Sequence, residues 1–197
     1  MESFVQEFQG DHEKDSDIVI TIDGDSGAGK GTIADYIASK LGLYHFSASD
    51  VFHSIAEDRG ISHVELAQKA DKKVDLEVDR RTLERGLENN CVIDSRIASW
   101  VLGEYSDLRI YVTADLEERA KRIAAREDIS YEKALEDTEK RDEENSRRYK
   151  EYYGINTEEL DVYDVIIDNT DMSISEQEKQ LDKILEKKFE ERLQKQN

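Results

Sequence analysis

Hydrophobic residues along this chain follow two alternating rhythms. Short β-branched runs alternate with stretches whose apolar residues recur every three or four positions. Ile18-Val19-Ile20-Thr21-Ile22 is the first such run and predicts a strand covered on both faces. Ile33, Ile37 and Leu41 then recur at helical spacing, and Gly42 closes that helix. Tyr44–Ser47 predicts a second strand, and Ser49–Glu57, Ser62–Ala70 and Val74–Asn89 predict helices. Cys91–Ile93 and Leu108–Val112 predict a third and a fourth strand. A helix carrying Leu116, Ala120, Ile123 and Ala124 is expected next, with Asp115 and Glu118 as its cap. Ser130–Tyr153 is a long, charged helical stretch that ends at Gly154. Val165–Ile167 predicts a fifth strand. Ser175 with Glu178 is expected to open a last helix through Leu181, Ile184, Leu185, Phe189 and Leu193. Strands separated by helices predict an α/β three-layer sandwich, a five-stranded parallel sheet with helices on both faces.

Composition narrows the class of protein. The 197 residues include 28 Lys and Arg against 47 Asp and Glu, a formal net charge of −19. Such a surface repels a nucleic-acid backbone, so no nucleic-acid partner is expected. Small phosphorylated ligands need only a local positive pocket and are not excluded. No apolar run is long enough to span a membrane, and the acidic N-terminus lacks the apolar core of a secretory signal. The single cysteine, Cys91, suits a reducing compartment and reads as a small core residue. A cytoplasmic location without a membrane partner is therefore expected; a monomer is the first expectation and an oligomer stays open. The four His and one Cys have no zinc spacing, and His45 and His63 join no motif. Residues 1–16 read as an acidic, mobile leader and 17–197 as one domain. Excess acid on the outer faces predicts self-repulsion that counterions relieve, and points to a salt-rich cytoplasm.

One segment carries specific chemistry. Directly after the first strand comes Gly24-Asp-Ser-Gly-Ala-Gly-Lys-Gly-Thr32, the frame of a phosphate loop. Glycines let successive backbone N–H groups curl around a phosphate, and the following helix adds the positive end of its dipole. Lys30 is spaced to reach the β- and γ-phosphates of a nucleoside triphosphate. Gly24, Ser26, Gly27, Ala28, Gly29, Lys30, Gly31 and Thr32 are thus the expected ATP-binding residues. Rival readings are weaker, because a dinucleotide site lacks its third glycine here and no Asn-Lys-x-Asp guanine reader exists in the chain. Asp94 ends the third strand, where it is placed to hold Mg²⁺ through water, with the Thr32 hydroxyl as a second oxygen donor. A cap for the following turn is the structural alternative for Asp94.

The loop with its leading strand, Ile20-Thr-Ile-Asp-Gly-Asp-Ser-Gly-Ala-Gly-Lys-Gly-Thr32, resembles that of cytidylate kinases. Asp79-Arg-Arg81, Asp94-Ser-Arg-Ile-Ala-Ser-Trp100, Arg147–Ile155 and Val162–Asp168 resemble segments of the archaeal-type enzymes, so the likeness runs over residues 18–190. It implies a P-loop kinase fold with a nucleoside monophosphate-binding helical region near 49–89 and a lid near 126–149. It also implies transfer of the ATP γ-phosphoryl group to CMP or dCMP, with Mg²⁺. By this resemblance Lys30, Arg96, Arg141 and Arg148 are catalytic, Arg96 gripping the acceptor phosphate and the lid arginines closing over the transferring group. Ser47, Ser49, His53, Arg80, Arg81, Arg96, Asn145 and Arg148 are the implied acceptor-binding residues. Ser49 replaces a family Gly, His53 an Arg, Asn145 an Asp and Asp25 a Pro. At His53 the change removes a bidentate charged fork, leaving Arg80, Arg81 or Arg85 to compensate. Trp100 reads either as a wall of the base pocket or as a core anchor. Another small P-loop kinase, for an adenylate, sugar or shikimate-type acceptor, and a nucleotide-binding regulator are the alternatives.

Overall fold

The computed structural model describes residues 12–62, 65–66 and 72–194. Strands β1 (Val19–Asp23), β2 (Tyr44–Ser47), β3 (Cys91–Asp94), β4 (Leu108–Thr113) and β5 (Val165–Asp168) form one sheet in the order β2-β3-β1-β4-β5. Every pairing is parallel. β1 lies at the centre with all five residues buried, as its β-branched run requires. Among the described residues the α-helices include α1 (Lys30–Leu41), α2 (Ala48–Asp58), α3 (Lys72–Glu88), α4 (Ala98–Leu102), α5 (Leu116–Glu127), α6 (Tyr131–Tyr153) and α7 (Ile174–Gln194).

Two clusters make the sandwich. On one face Ile20 and Ile22 of β1 meet Ile33, Ile37 and Leu41 of α1 and Leu181 and Leu185 of α7. On the other, Val19, Cys91 and Ile93 meet Leu83 and Leu87 of α3, Val101 and Leu102 of α4, and Tyr153 at the end of α6. Val51, Ile55 and Val74 form a separate small cluster joining α2 to α3, beside the sheet. Of the helix expected over 62–70, residues 62, 65 and 66 are described, and the last two are helical.

Three elements differ from expectation. α7 opens at Ser173, whose N–H donates to Glu176 Oε2 (3.0 Å) while its hydroxyl accepts from the Glu176 N–H (3.3 Å). Two overlapping Ser-x-x-Glu frames compete here. The earlier one wins over Ser175 and Glu178 because the turn after β5 already closes with Met172 N–H on the Asn169 carbonyl (3.4 Å). Asp115 stands at the N-cap of α5, yet its side chain makes no cap bond, and Glu118 turns instead to Arg122 Nε (3.1 Å). α4 is a helix that periodicity did not predict, being only five residues long. Residues 12–16 of the expected leader are fastened to the body: Ser16 Oγ donates to the Gly86 carbonyl (2.7 Å) and Lys14 pairs with Asp107 (2.6 Å). Residues 1–11 and His63 lie outside the described residues.

The packing of α7 generates a test of the first cluster. Leu185 is wholly buried there, whereas Ile174 in the same helix is 64% exposed. Leu185→Ala is expected to cost roughly 2–5 kcal/mol in a denaturant melt, and Ile174→Ser less than about 0.5 kcal/mol.

Candidate active site

The loop between β1 and α1 is fixed by groups from three other segments. Gly24 has φ 144°, and a Cβ there would lie 2.1 Å from the Val112 carbonyl oxygen, so only glycine fits. Gly27 has φ 80° and backs onto the main chain of Arg119 in the same way. The nearly buried Arg119 donates through Nη1 to the Ser26 carbonyl (3.2 Å) and through Nε to the Ala114 carbonyl (3.0 Å). Asn169, just past β5, donates to the Ala28 carbonyl (2.7 Å) and accepts from Arg122 (2.9 Å). These bonds occupy the Ser26 and Ala28 carbonyls, and the Ala28 N–H itself donates to the Asp25 carbonyl (3.3 Å); it is the N–H groups of such a loop that receive anionic oxygens.

Two cations converge on this loop. Lys30, in the first turn of α1, donates to the Asp25 carbonyl (2.9 Å). Burial, together with the nearby charge of Arg96, lowers the Lys30 ammonium to about 8, against the opposing pull of Asp94, Asp25 and Asp23. Arg96 donates through Nη2 to Ser26 Oγ (2.5 Å). Its position is set by Asp23, the last residue of β1, which is fully buried. The Asp23 carboxylate accepts the N–H of Ala98 (2.8 Å) and of Ser99 (2.9 Å), and so caps α4 immediately after Arg96. Ser95 Oγ (3.3 Å) and Tyr163 OH (3.2 Å) also donate to it. Burial raises the Asp23 carboxyl above the ordinary carboxylate range, and these hydrogen bonds oppose the shift.

Among the described residues, the partner of the Asp94 carboxylate is an imidazole and not a turn N–H. Asp94 Oδ2 accepts from His45 Nε2 (3.0 Å), while His45 Nδ1 meets Asp35 Oδ1 (2.7 Å). The Asp94 hydrogen bond raises the His45 imidazole to about 9, with Asp35 adding to the effect and burial opposing it. The expectation that His45 joins no motif is thus corrected. A Cβ on Gly31 would stand 3.6 Å from Asp94 Oδ2, which puts this carboxylate against the first turn of α1. Thr32 is exposed in that turn.

A cleft beside the loop is lined by Gly24, Asp25, Arg96, Tyr111, Asp142, Asn145 and Tyr149, among others. It brings Asn145 of α6 to the phosphate loop, although the Asn145 amide donates to the Arg141 carbonyl (2.6 Å). The remaining expected acceptor groups are occupied or peripheral. Ser47 and Asp50 form a reciprocal capping box at the start of α2. Ser49 and His53 are exposed on that helix, and Arg141 is exposed on α6. Arg80 pairs with Glu84 (2.6 Å), and Arg81 with Asp58 (2.6 Å) and Glu77 (2.8 Å). Arg148 pairs with Asp75 of α3. Trp100 packs against the second core cluster, the anchoring role, and Cys91 is a wholly buried core thiol that burial pushes up to about 12.

Four further residues shape the site: Asp23, Arg119, Asn169 and His45. The first lay unremarked inside the loop's leading strand and the second inside a charged helix. Asn169 offered no sequence signal at all, being 141 residues from the carbonyl it holds. His45 was visible only as an isolated imidazole.

The sheet order and the loop define a P-loop kinase fold. A shikimate kinase from Bacteroides thetaiotaomicron has the same fold, with a TM-score of 0.60 at 14% identity, covering 86% of this chain and 98% of that one. The structure of TT1252 from Thermus thermophilus gives 0.56 at 22% identity, covering 90% and 98%. Residues 19–171 match the cytidylate kinase-like family. A cytidylate kinase of Ignicoccus hospitalis is 43% identical over 151 residues, 76% of this chain and 88% of its own. One from Haloarcula marismortui is 38% identical over 153 residues, 76% and 80% respectively. The chain belongs to the cytidylate kinase-like family. Among the described residues no helix is long and apolar enough to cross a membrane.

The α3–α6 contact carries a pH dependence. Asp79 accepts the Tyr153 hydroxyl, and burial pushes its carboxyl up to about 7. A raised acid binds its proton better folded than unfolded, so this group's contribution to stability falls as pH rises from the ordinary carboxylate range to about 7, and is level above. Asp79→Asn keeps an acceptor for Tyr153 and removes the titration. Its melting temperature is expected to gain on the natural chain between about pH 5 and about pH 8; a constant difference across that window contradicts the assignment.

Proposed function

We propose that the chain transfers the γ-phosphoryl group of ATP to CMP or dCMP, giving ADP and the nucleoside diphosphate. The observation that carries this reading is the convergence of Lys30 and Arg96 on the Gly24–Thr32 loop, in a chain 43% identical to a cytidylate kinase. The reaction needs little covalent chemistry from the protein; it needs two phosphorylated partners held in line and their negative charge offset. The loop amides and Lys30 take the β- and γ-phosphates, and Arg96 takes the acceptor phosphate once it leaves Ser26. Arg141 and Arg148 complete the positive enclosure when α6 closes, Arg148 exchanging Asp75 for phosphate. Closure excludes water, so the phosphoryl group reaches the nucleotide and not solvent. His53, Ser47, Ser49, Arg80, Arg81 and Asn145 belong to the acceptor side.

The donor set also suits magnesium. Asp94 and Thr32 offer hard oxygen ligands beside the first turn of α1, the carboxylate acting through water. When bound, Mg²⁺ supplies positive charge to the phosphate oxygens. The reading places the helical region near 49–89 around the acceptor and the lid near 126–149 over the phosphates. The small α2–α3 cluster, set apart from the two sheet clusters, supports the first of these.

The test is coupled ADP release with CMP, dCMP, UMP and AMP under Mg-ATP, run beside Lys30→Ala. CMP and dCMP are expected to be the best acceptors, and Lys30→Ala is expected to lower kcat by roughly 10²–10³-fold. A natural chain that binds ATP yet turns over no acceptor faster than Lys30→Ala would instead be a nucleotide-binding regulator.

A further inference from the structure

The carboxylate assigned to magnesium does not stand alone. β2 and β3 pair in parallel with Ser47 opposite Asp94 and His45 opposite Val92, so His45 stands on the neighbouring strand two residues short of Asp94. From there the imidazole reaches two carboxylates on opposite sides. Nε2 lies 3.0 Å from Asp94 Oδ2, and Nδ1 lies 2.7 Å from Asp35 Oδ1 of α1. The three side chains grade from inside to outside: Asp94 is 15% exposed, His45 21% and Asp35 76%. A partly buried carboxylate at the phosphate loop is therefore tied through one ring to a carboxylate at the surface.

This arrangement has a mechanical consequence. A short Asp side chain on a strand end turns freely about χ2 unless a partner fixes it. Asp94 Oδ2 is committed to His45, which on the magnesium reading leaves Oδ1 to accept from metal-bound water. Asp35 in turn fixes the ring's direction, as outer-shell carboxylates do for imidazoles at metal sites. Gly31 leaves room for the Asp94 carboxylate against the first turn of α1.

We propose that His45 is a positioning residue for the phosphoryl transfer: held by Asp35, it fixes the Asp94 carboxylate in the orientation that receives metal-bound water beside the phosphate loop. The inference rests on the reading of Asp94 as an outer-sphere magnesium carboxylate. It adds an Asp35–His45–Asp94 chain whose outer member stands at the surface.

The test uses the full chain and two readouts. Mn²⁺ binding in the presence of ADP is followed by the electron paramagnetic resonance of the free ion, and kcat and KM are measured with Mg-ATP and CMP. The variants are His45→Phe, His45→Gln, Asp35→Ala and Asp94→Asn. His45→Phe is expected to weaken Mn²⁺ binding to the ADP complex by roughly 10-fold or more and to lower kcat. ADP affinity without metal and the KM for CMP are expected to stay unchanged. His45→Gln, which keeps one N–H donor for Asp94, is expected to recover most of the loss. Asp35→Ala alters only an exposed side chain, so it stays folded even if His45→Phe does not; a smaller loss in the same direction is expected.

Two results overturn the proposal in distinguishable ways. If Asp94→Asn weakens Mn²⁺ binding while the His45 and Asp35 variants do not, Asp94 serves the metal without His45. If Asp94→Asn also leaves Mn²⁺ binding unchanged, the magnesium reading of Asp94 fails and the positioning role fails with it.

Discussion

The site is organised around a cation whose charge burial disfavours, with the nearby charge of Arg96 adding to the cost. Lys30 and Arg96 are held at one small loop, and burial beside Arg96 lowers the Lys30 ammonium to about 8. Two cations so placed are stable only because carboxylates stand behind them and because the loop cannot spread. Asp94, Asp25 and Asp23 all favour the charged form of Lys30. An anion entering the loop offsets that cost directly, so part of the affinity for a polyphosphate is stored in the resting site.

Holding that arrangement is the work of the surrounding fold. Asp23 ends the buried central strand and caps α4 at once, so Arg96 is fixed between two rigid elements. Arg119 and Asn169 hold the loop from α5 and from the end of β5. Arg119 also pairs with Asp142 of α6 (2.7 Å), and Arg148 of α6 pairs with Asp75 of α3. Resting cations thus lean on acids that a phosphate must outcompete. In a chain of net charge −19 the basic residues near the loop form a local positive well inside a negative body. Surface acids make the well narrow, and added salt screens them more than it screens the partly buried pairs.

The fold was legible because its signals are local. A β-branched run such as Ile18–Ile22 predicts a doubly covered strand wherever it sits, and Ile33, Ile37 and Leu41 share one helix face. The phosphate loop was legible for the same reason, since its glycines and Lys30 fall within nine contiguous residues. Asp23, His45 and Asn169 were not, because each acts on a partner 49 or more residues away. Short elements failed differently. α4 spans little more than one turn and shows no period, and the start of α7 was misplaced by two residues where overlapping cap frames compete. The expected acceptor arginines at 80 and 81 read as binding residues in sequence, yet their neighbours in space, Glu84, Asp58 and Glu77, engage them as ion pairs.

The central claim is that Lys30 waits in a site that disfavours its charge and is recharged by phosphate. Titration calorimetry of ADP binding near pH 8, repeated in buffers of different ionisation enthalpy, measures this directly. With the Lys30 ammonium at about 8, the natural chain is expected to take up about half a proton per nucleotide beyond that of Lys30→Arg, whose guanidinium is always charged. Equal proton uptake by the two chains would contradict the account.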